Sequence, residues 1–279
     1  MTGDAQPEPV GGLVNLREGL RLSLGTFTVL PVGPVRTDRR TAGPAMLFAP
    51  LVGAGLGAIC GGAGWLALRV QTSALVAAAI AVGLLALLTR GMHLDGLADT
   101  ADGLGTGRDP ARALAAMKDP HVGAFGVVTL GLTLLVQSAA LADQMGRGRS
   151  GRVVLMLALA ATVGRGNLPW ACRAGVRAAR PDGLGATVAG SVDPLVALGT
   201  LIAVVAAVTA AGGSSFGWFR AAAAALLAWA AVEGLLRRCL ARFGGITGDV
   251  LGAVVEVGTT VVLIVLSTAP YSYYVGVLD

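Results

Sequence analysis

Long stretches without a charged residue constrain this chain of 279 residues more than any other feature. A helix needs about 20 mostly apolar residues to cross a bilayer. Five stretches free of Asp, Glu, Lys and Arg are long enough: Thr41–Leu68, Val70–Thr89, Pro120–Ala142, Pro194–Phe219 and Val257–Leu278. Two more contain charges, namely Val153–Ala171 with Arg165 and Phe216–Leu236 with Arg220 and Glu233. The pattern predicts an all-α, polytopic transmembrane helical bundle of about seven spans.

The segment Leu13–Leu30 is shorter and contains Arg17, Glu18 and Arg21, so it predicts an amphipathic or re-entrant helix at the membrane surface. Charged residues make up 13% of the chain, against about 25% in soluble domains. With 5% aromatic residues, the chain lacks the stacking platforms of single-strand nucleic-acid-binding proteins, and we expect no nucleic-acid partner. We therefore predict one integral membrane domain over residues 1–279, with the lipid bilayer as its surroundings.

Basic residues indicate the orientation of this bundle. In a seven-span arrangement, the loops on one side carry thirteen Lys and Arg residues and those on the other side carry five. Because cytoplasmic loops are enriched in Lys and Arg, the richer side, which includes the loop 90–121, is predicted to be cytoplasmic. We expect a multi-pass protein of the bacterial cytoplasmic (inner) membrane.

Small residues are concentrated in the predicted spans. The first long stretch contains Gly53, Gly55, Gly57, Gly61, Gly62 and Gly64. Such residues allow helix backbones to approach closely within a membrane. The cysteines, Cys60, Cys172 and Cys239, have no metal or redox spacing and are predicted to act as small apolar residues at helix contacts.

The loop 90–121 contains the most informative group of acidic residues. On a helix, Asp99 lies about 40° and Asp102 about 20° from Asp95, so the three carboxylates share one face. Like charges so placed repel by roughly 0.2–0.5 kcal/mol per pair, and a bound cation would remove that repulsion. Mg²⁺ is commonly held by carboxylates together with water and phosphate. The pattern favours a magnesium site over a solvated helix end.

Other residues of this loop have two interpretations each. His93 lies about 160° from Asp95, which indicates a helix-start or substrate-facing group rather than a ligand. Lys118, the only lysine, could contact phosphate or anchor the chain at the interface. Asp109 precedes Pro110 and is predicted to cap a helix.

A second group follows the sixth predicted span, where Gly244-Gly245-Ile246-Thr247-Gly248-Asp249 could turn backbone amides toward an anion. Asp249 is interpreted as a ligand or as a helix cap. Glu256 and Arg165 lie within predicted spans, where ionisable residues are costly and usually functional. Arg165 could bind phosphate, or it could pair with Glu256 or Glu233. Glu233 and Arg237 have the spacing of a helix-face ion pair.

Together these residues resemble the cobalamin synthase family, the adenosylcobinamide-GDP ribazoletransferases. The resemblance covers most of the chain and is carried by His93-Leu94-Asp95-Gly96-Leu97-Ala98-Asp99-Thr100-Ala101-Asp102-Gly103, Met117-Lys118-Asp119, Val122-Gly123-Ala124-Phe125-Gly126 and Gly244-Gly245-Ile246-Thr247-Gly248-Asp249. The first motif is long enough to be specific, whereas the last would be weak alone.

The resemblance implies a membrane enzyme that joins adenosylcobinamide-GDP to α-ribazole, or to its 5'-phosphate, and releases GMP. Other enzymes of the corrin pathway are its implied partners. Asp95, Asp99 and Asp102, with Asp249, would hold Mg²⁺ on the diphosphate, and one acid or His93 would take the proton from the ribazole 5'-hydroxyl. The substrate-contacting set would be Lys118, Asp119, Arg165, Gly245, Thr247 and Gly248.

Two other functions are compatible with parts of the pattern. An intramembrane prenyl diphosphate transferase also uses acidic motifs with Mg²⁺, but the second motif here offers only Asp249 with Glu256. A secondary transporter could use Glu256, Arg165 and Glu233 as an ion-coupling relay. The acids are concentrated in a loop and no internal repeat is evident, which favours the enzyme.

Overall fold

The computed structural model describes residues 12–107 and 109–268, and these ranges contain twelve helices and no strand. The helices are α1 (Gly12–Phe27), α2 (Arg39–Arg69), α3 (Ala74–Leu88), α4 (Met92–Gly105), α5 (Pro110–Ala116), α6 (Ala124–Gly146), α7 (Arg152–Gly166), α8 (Leu168–Ala171), α9 (Gly183–Val188), α10 (Pro194–Phe216), α11 (Trp218–Phe243) and α12 (Gly248–Ser267). The predicted all-α bundle is confirmed.

In the part of the chain that the structure describes, six helical segments are long and apolar enough to cross a membrane: α2, α6, α7 continued by α8, α10, α11 and α12. The α3–α4 pair would be a seventh, but α4 is bent by 89° from α3. Arg90 and Gly91 form the bend with φ of 57° and 67°. We therefore treat α3 as the seventh predicted span, and α4 as a helix that leaves the path of that span and lies outside it. The count of about seven spans agrees with the sequence.

The last span begins earlier than the sequence predicted. Its first helical residue is Gly248, whereas the charge-free stretch started at Val257. The start is fixed by Thr247, whose hydroxyl accepts a hydrogen bond from the Val250 amide at 3.2 Å, as N-cap residues do. The interpretation of Asp249 as the cap is therefore wrong. Residues 269–278 of the predicted stretch lie outside the described residues, as does Arg108 of the cytoplasmic count.

Two local predictions are confirmed, one in the loop 90–121 and one near the N-terminus. Asp109 caps α5, with its carboxylate accepting from the Ala111 amide at 3.0 Å. A helix, α1, covers most of Leu13–Leu30 and packs on α2 at Gly19, where a side chain would overlap Pro44. The surface position of α1 relative to the bilayer stays a prediction.

Glycine allows α2 and α7 to pack with their backbones in contact. A Cβ atom at Gly57 would lie 2.6 Å from the Cα of Ala158, and one at Gly61 would lie 2.7 Å from the Cα of Val154. Both distances are shorter than van der Waals contact. The predicted close approach of helices at these glycines is confirmed, and the three cysteines are buried as expected.

Replacing Gly57 by alanine should lower the melting temperature of the purified protein in detergent. The added methyl group meets α7 backbone that cannot move aside, and such overpacking costs about 1–3 kcal/mol. Gly55→Ala is the matched control, because nothing lies within 4 Å of its Cβ position and alanine is the better helix former. Equal melting temperatures for the two variants would contradict this packing.

Candidate active site

The site is built where α4 crosses the beginning of α12. A Cβ atom at Gly96 would lie 2.6 Å from the carbonyl oxygen of Asp249, and one at Gly252 would lie 3.0 Å from the carbonyl oxygen of His93. The two helices therefore touch through their backbones. This contact brings the acidic face of α4 next to the acidic first turn of α12.

A polar cavity opens beside this crossing. It is bordered by the first turn of α4, by the start of α12, and by the segment that runs from α8 into α9. Its polar side chains are Asp95, Asp249, Arg180, Asp182 and Thr247, and Gly248 lies between them. The cavity thus contains three carboxylates and one guanidinium.

Asp99 lies one helical turn beyond Asp95, and its pKa is affected by this group of acids. Burial, followed by the negative charges of Asp95, Asp249 and Asp102, raises the pKa of Asp99 to about 7. Arg180 opposes the shift but does not cancel it. The protein alone therefore leaves an excess of negative charge at this point, which a cation would neutralise.

The predicted magnesium site stays a prediction, because the acids of the site do not by themselves form a metal-binding group in the described residues. Within residues 12–107 and 109–268, no three His, Cys, Asp or Glu side chains are already converged on a metal position. Mg²⁺ is usually held by one or two carboxylates, with water and substrate phosphates completing its octahedron. Asp95, Asp99 and Asp249 provide carboxylates of that kind, and a diphosphate substrate would provide the remaining oxygens.

Asp102 lies on the predicted face of α4 but has a different environment. Its carboxylate is buried and accepts hydrogen bonds from the amides of Gly123 at 2.7 Å and Gly126 at 2.9 Å. These are N-terminal amides of α6, which have no partner within their own helix. The predicted metal ligand therefore caps α6 and positions α4 against it. Sequence spacing placed Asp102 on the correct face but could not show that another helix begins there.

The Val122-Gly123-Ala124-Phe125-Gly126 motif is explained by the same contact. A Cβ atom at Gly126 would lie 2.5 Å from a carboxylate oxygen of Asp102, and one at Gly123 would overlap the same group. Both glycines are needed for the carboxylate to reach the amides.

Arg180 is the site residue that sequence reasoning missed. Its Nη1 atom lies 3.9 Å from Oδ2 of Asp249, and its Nη2 atom donates to the carbonyl oxygen of Leu114 at 2.7 Å. In the sequence, this arginine stood out only as one of the basic residues that indicate which side of the bundle is cytoplasmic. No spacing rule connects position 180 with position 249, so only the excess of arginine in this loop gave a signal.

Lys118 and Asp119 do not line the acidic cavity. Lys118 is exposed and borders a neighbouring depression that also includes Arg180 and Asp182. Asp119 is exposed and binds His121, accepting from its backbone amide at 2.9 Å, and it borders another cavity beside Asp102. Lys118 is therefore near the acidic cavity, because Arg180 borders both spaces. Asp119 does not border either of them.

The glycine-rich motif before α12 divides into a packing part and a cavity part. Gly245 is buried against the backbone of Ala178, and the amide of the next residue, Ile246, donates to the carbonyl oxygen of Arg177 at 2.8 Å. Gly245 does not line the cavity, and its contact with a substrate stays a prediction. Thr247 and Gly248 do line the cavity, and the Thr247 hydroxyl donates to Asp249 at 3.1 Å.

His93 and Arg165 are buried beneath the cavity rather than within it. Nη2 of Arg165 lies 3.5 Å from Nδ1 of His93, and the imidazole stacks on Phe27 with centroids 5.9 Å apart. Arg165 is 1% exposed. His93 is absent from the polar side chains that line the acidic cavity, so the geometry does not support it as the base for a hydroxyl held there.

The acids within the spans have partners other than Arg165. Glu256 accepts a hydrogen bond from Gln137 at 2.8 Å. Glu233 pairs with Arg237 at 2.8 Å, as the spacing predicted, and accepts from the indole of Trp170 at 2.9 Å. The interpretation of Glu233 as the partner of Arg165 is therefore wrong. Glu256 attracts Arg165 electrostatically but does not form an ion pair with it in the described residues.

Replacing Gly126 by alanine should lower the melting temperature of the purified protein. The methyl group displaces the Asp102 carboxylate, and leaving buried polar groups without partners costs about 1–3 kcal/mol. Gly131→Ala in the same helix is the control, because its Cβ position is open. Thermal unfolding in detergent measures the difference. A Gly126→Ala protein as stable as Gly131→Ala would contradict the role of Asp102 as the cap of α6.

Comparisons with known proteins identify the family of the chain. A family model described as cobalamin-5-phosphate synthase matches residues 19–267. Proteins named adenosylcobinamide-GDP ribazoletransferase are similar to the chain. The one from Frankia casuarinae is 43% identical and covers 88% of this chain and 93% of its own length. The one from Nocardioides sp. is 38% identical, with coverages of 89% and 98%.

No solved structure matches the chain. The family model includes all of α4, the segment that contains Arg180, and the start of α12. Because the match extends over most of the chain and contains every element of the acidic cavity, the chain belongs to the cobalamin-5-phosphate synthase family.

Proposed function

We propose that this chain is an adenosylcobinamide-GDP ribazoletransferase. It would transfer the adenosylcobinamide-phosphate group to α-ribazole, or to α-ribazole 5'-phosphate, and release GMP. The relatives carry this name. The observation that carries the proposal is the cavity lined by Asp95, Asp249 and Arg180, whose charges also act on Asp99 of α4. Phosphoryl transfer needs positioning and charge neutralisation more than covalent help from the protein.

The reaction can be assigned to groups of this chain. A ribose hydroxyl that α-ribazole and its 5'-phosphate share would attack the phosphorus bonded to cobinamide, the bond to the bridging oxygen of the diphosphate would break, and GMP would leave with that oxygen. Arg180 would donate hydrogen bonds to the departing phosphate. The N-terminus of α12 points its amides toward the same region, which favours negative charge. A carboxylate of the cavity would accept the hydroxyl proton.

Magnesium is the proposed cofactor. Asp95, Asp99 and Asp249 would hold it, and bound Mg²⁺ would neutralise charge on the diphosphate and on GMP. Asp102 would not be a ligand, because both of its oxygens accept from α6 amides. Its proposed role is to keep α4 in position.

We also propose that the cavity faces the cytoplasm of a bacterial cell across its inner membrane. The loops on the cavity side carry most of the chain's Lys and Arg residues, including Arg173, Arg177 and Arg180. Association with other corrin-pathway enzymes stays a prediction.

Asp95→Asn and Asp99→Asn should each reduce GMP release below a tenth of the wild-type rate at saturating Mg²⁺. The assay supplies adenosylcobinamide-GDP and α-ribazole to membranes that contain the protein, and EDTA should abolish the wild-type rate. Asp109→Asn is the matched control from the same acidic loop, because asparagine caps a helix as well as aspartate does. An Asp95→Asn enzyme that retains more than a tenth of the rate would contradict the metal site.

Arg180→Gln should reduce kcat for GMP release by about tenfold to a hundredfold, as expected when a hydrogen bond to a charged group is lost. Arg177→Gln is the control, since Arg177 lies in the same segment but is exposed and does not line the cavity. Steady-state rates in the same assay measure the difference. Equal rates for the two variants would remove Arg180 from the site.

A further inference from the structure

A wide depression adjoins the acidic cavity at Arg180. One side of it is formed by α5 and the turn that follows, with Leu114, Ala115 and Lys118, and the other side by residues 179–182, which precede α9. Its volume is about 600 Å³, within the range of roughly 300–1,000 Å³ that small-molecule sites have. The depression therefore has room for a part of a substrate that the acidic cavity does not hold.

Arg180 connects the two spaces, because it lines both of them. Its Nη2 atom donates to the carbonyl oxygen of Leu114 in the depression at 2.7 Å, and its Nη1 atom lies 3.9 Å from Oδ2 of Asp249 in the acidic cavity. In the proposed reaction, Arg180 binds the phosphate that leaves with GMP. The nucleoside attached to that phosphate must extend away from the reacting phosphorus, and the depression is the space next to Arg180 that can receive it.

The wall of the depression suits a flat ring better than another phosphate group. Leu114, Ala115, Ala179 and Pro181 form its apolar part. A planar base that lay on these side chains would remove one of its faces from water. A phosphate group would gain nothing from them and would be repelled by the carboxylate of Asp182, which also lines the depression.

The depression also contains two charged groups that are available to a ligand. Asp182 precedes α9, but its carboxylate does not cap that helix and makes no hydrogen bond or ion pair in the part of the chain that the structure describes. Lys118 is exposed, and its ammonium group pairs with no carboxylate of residues 12–107 or 109–268. A ligand would therefore find one group that accepts hydrogen bonds and one that donates them.

We propose that this depression binds the guanine base of the nucleotide that leaves as GMP. The Asp182 carboxylate would accept hydrogen bonds from N1–H and from the 2-amino group, and the Lys118 ammonium would donate to O6. This inference rests on the proposed function. Guanine presents two neighbouring donors beside one acceptor, and the two oxygens of a carboxylate can accept from both donors at once. Asp182 is thus assigned as a specificity-determining residue for the nucleotide.

Other bases match these groups less well. The benzimidazole of a ribazole has no N–H group, so it would leave Asp182 without a donor. Adenine would turn the lone pair of N1 toward Asp182 and its amino group toward Lys118, and both contacts are unfavourable. The pair of charged groups therefore favours guanine over both of them.

The first test measures how free GMP, IMP and AMP inhibit formation of the corrinoid product by the wild-type enzyme. Each nucleotide would compete with adenosylcobinamide-GDP for the depression. IMP lacks the 2-amino group, so we expect its inhibition constant to be about tenfold higher than that of GMP, as for the loss of one hydrogen bond to a charged group. AMP, which mismatches both Asp182 and Lys118, should inhibit more weakly still.

Asp182→Asn should produce a gain that a structural role would not produce. An asparagine amide offers one acceptor and one donor, which match the N1–H and 2-oxo groups of xanthine. This variant should be inhibited more strongly by XMP than by GMP, the reverse of the wild-type order. Asp193→Asn is the control from the segment between α8 and α10, because Asp193 caps α10 and asparagine caps a helix equally well. It should keep the wild-type order.

Lys118→Met distinguishes a contact with the base from a contact with phosphate. Loss of the donor to O6 should raise the inhibition constants of GMP and IMP, which share that oxygen, by about tenfold. The inhibition constant of AMP, which has no O6, should not change. An equal rise for all three nucleotides would place Lys118 at the phosphate and overturn the proposed position of the base.

Equal inhibition by GMP and IMP in the wild-type enzyme would overturn the inference, as would a lack of inhibition by GMP, and neither result depends on a variant folding. An Asp182→Asn enzyme that still prefers GMP to XMP would also overturn it. The two proposals fail differently: product formation with inhibition that does not depend on the base removes only the guanine site. Absence of product from adenosylcobinamide-GDP with either ribazole form removes the proposed function, and the inference with it.

Discussion

The backbone contact between α4 and α12 at Gly96 is the interaction on which the candidate site depends. A side chain at this position would separate the two helices, because its Cβ atom would lie 2.6 Å from the carbonyl oxygen of Asp249. Without that contact, Asp95 and Asp99 would be ordinary acids on a surface helix. With it, Asp95 shares a cavity with Asp249, which is about 150 residues away in the sequence, and the charges of both act on Asp99.

Such a grouping of acids is unfavourable in the absence of a ligand, and the surrounding structure has to offset its cost. Asp102 contributes by capping α6, which holds α4 from the opposite side. The glycines of α2 contribute by fixing that helix against α7. These contacts hold the acids and Arg180 in fixed positions, and the proposed phosphoryl transfer would use that preorganisation.

Ionisable residues in the spans were expected to be functional, and the structure shows why that rule is incomplete. Glu256 is satisfied by Gln137, and Glu233 by Arg237 and Trp170, so both have local structural partners. A relay formed by these acids with Arg165 is not what the contacts show. Arg165 is instead next to His93, where it orients an imidazole rather than a substrate phosphate.

The sequence by itself determined the helical membrane architecture, the approximate number of spans, the acidic face of α4 and the family. These properties follow from local patterns: runs of apolar residues, helical periodicity and motifs of fixed spacing. Only the tertiary structure decided which acids meet, because that depends on which helices touch. It assigned Asp102 to α6, brought Arg180 to Asp249, and placed His93 in an apolar pocket. These contacts join residues far apart in the chain, and no periodicity encodes the distance between two helices.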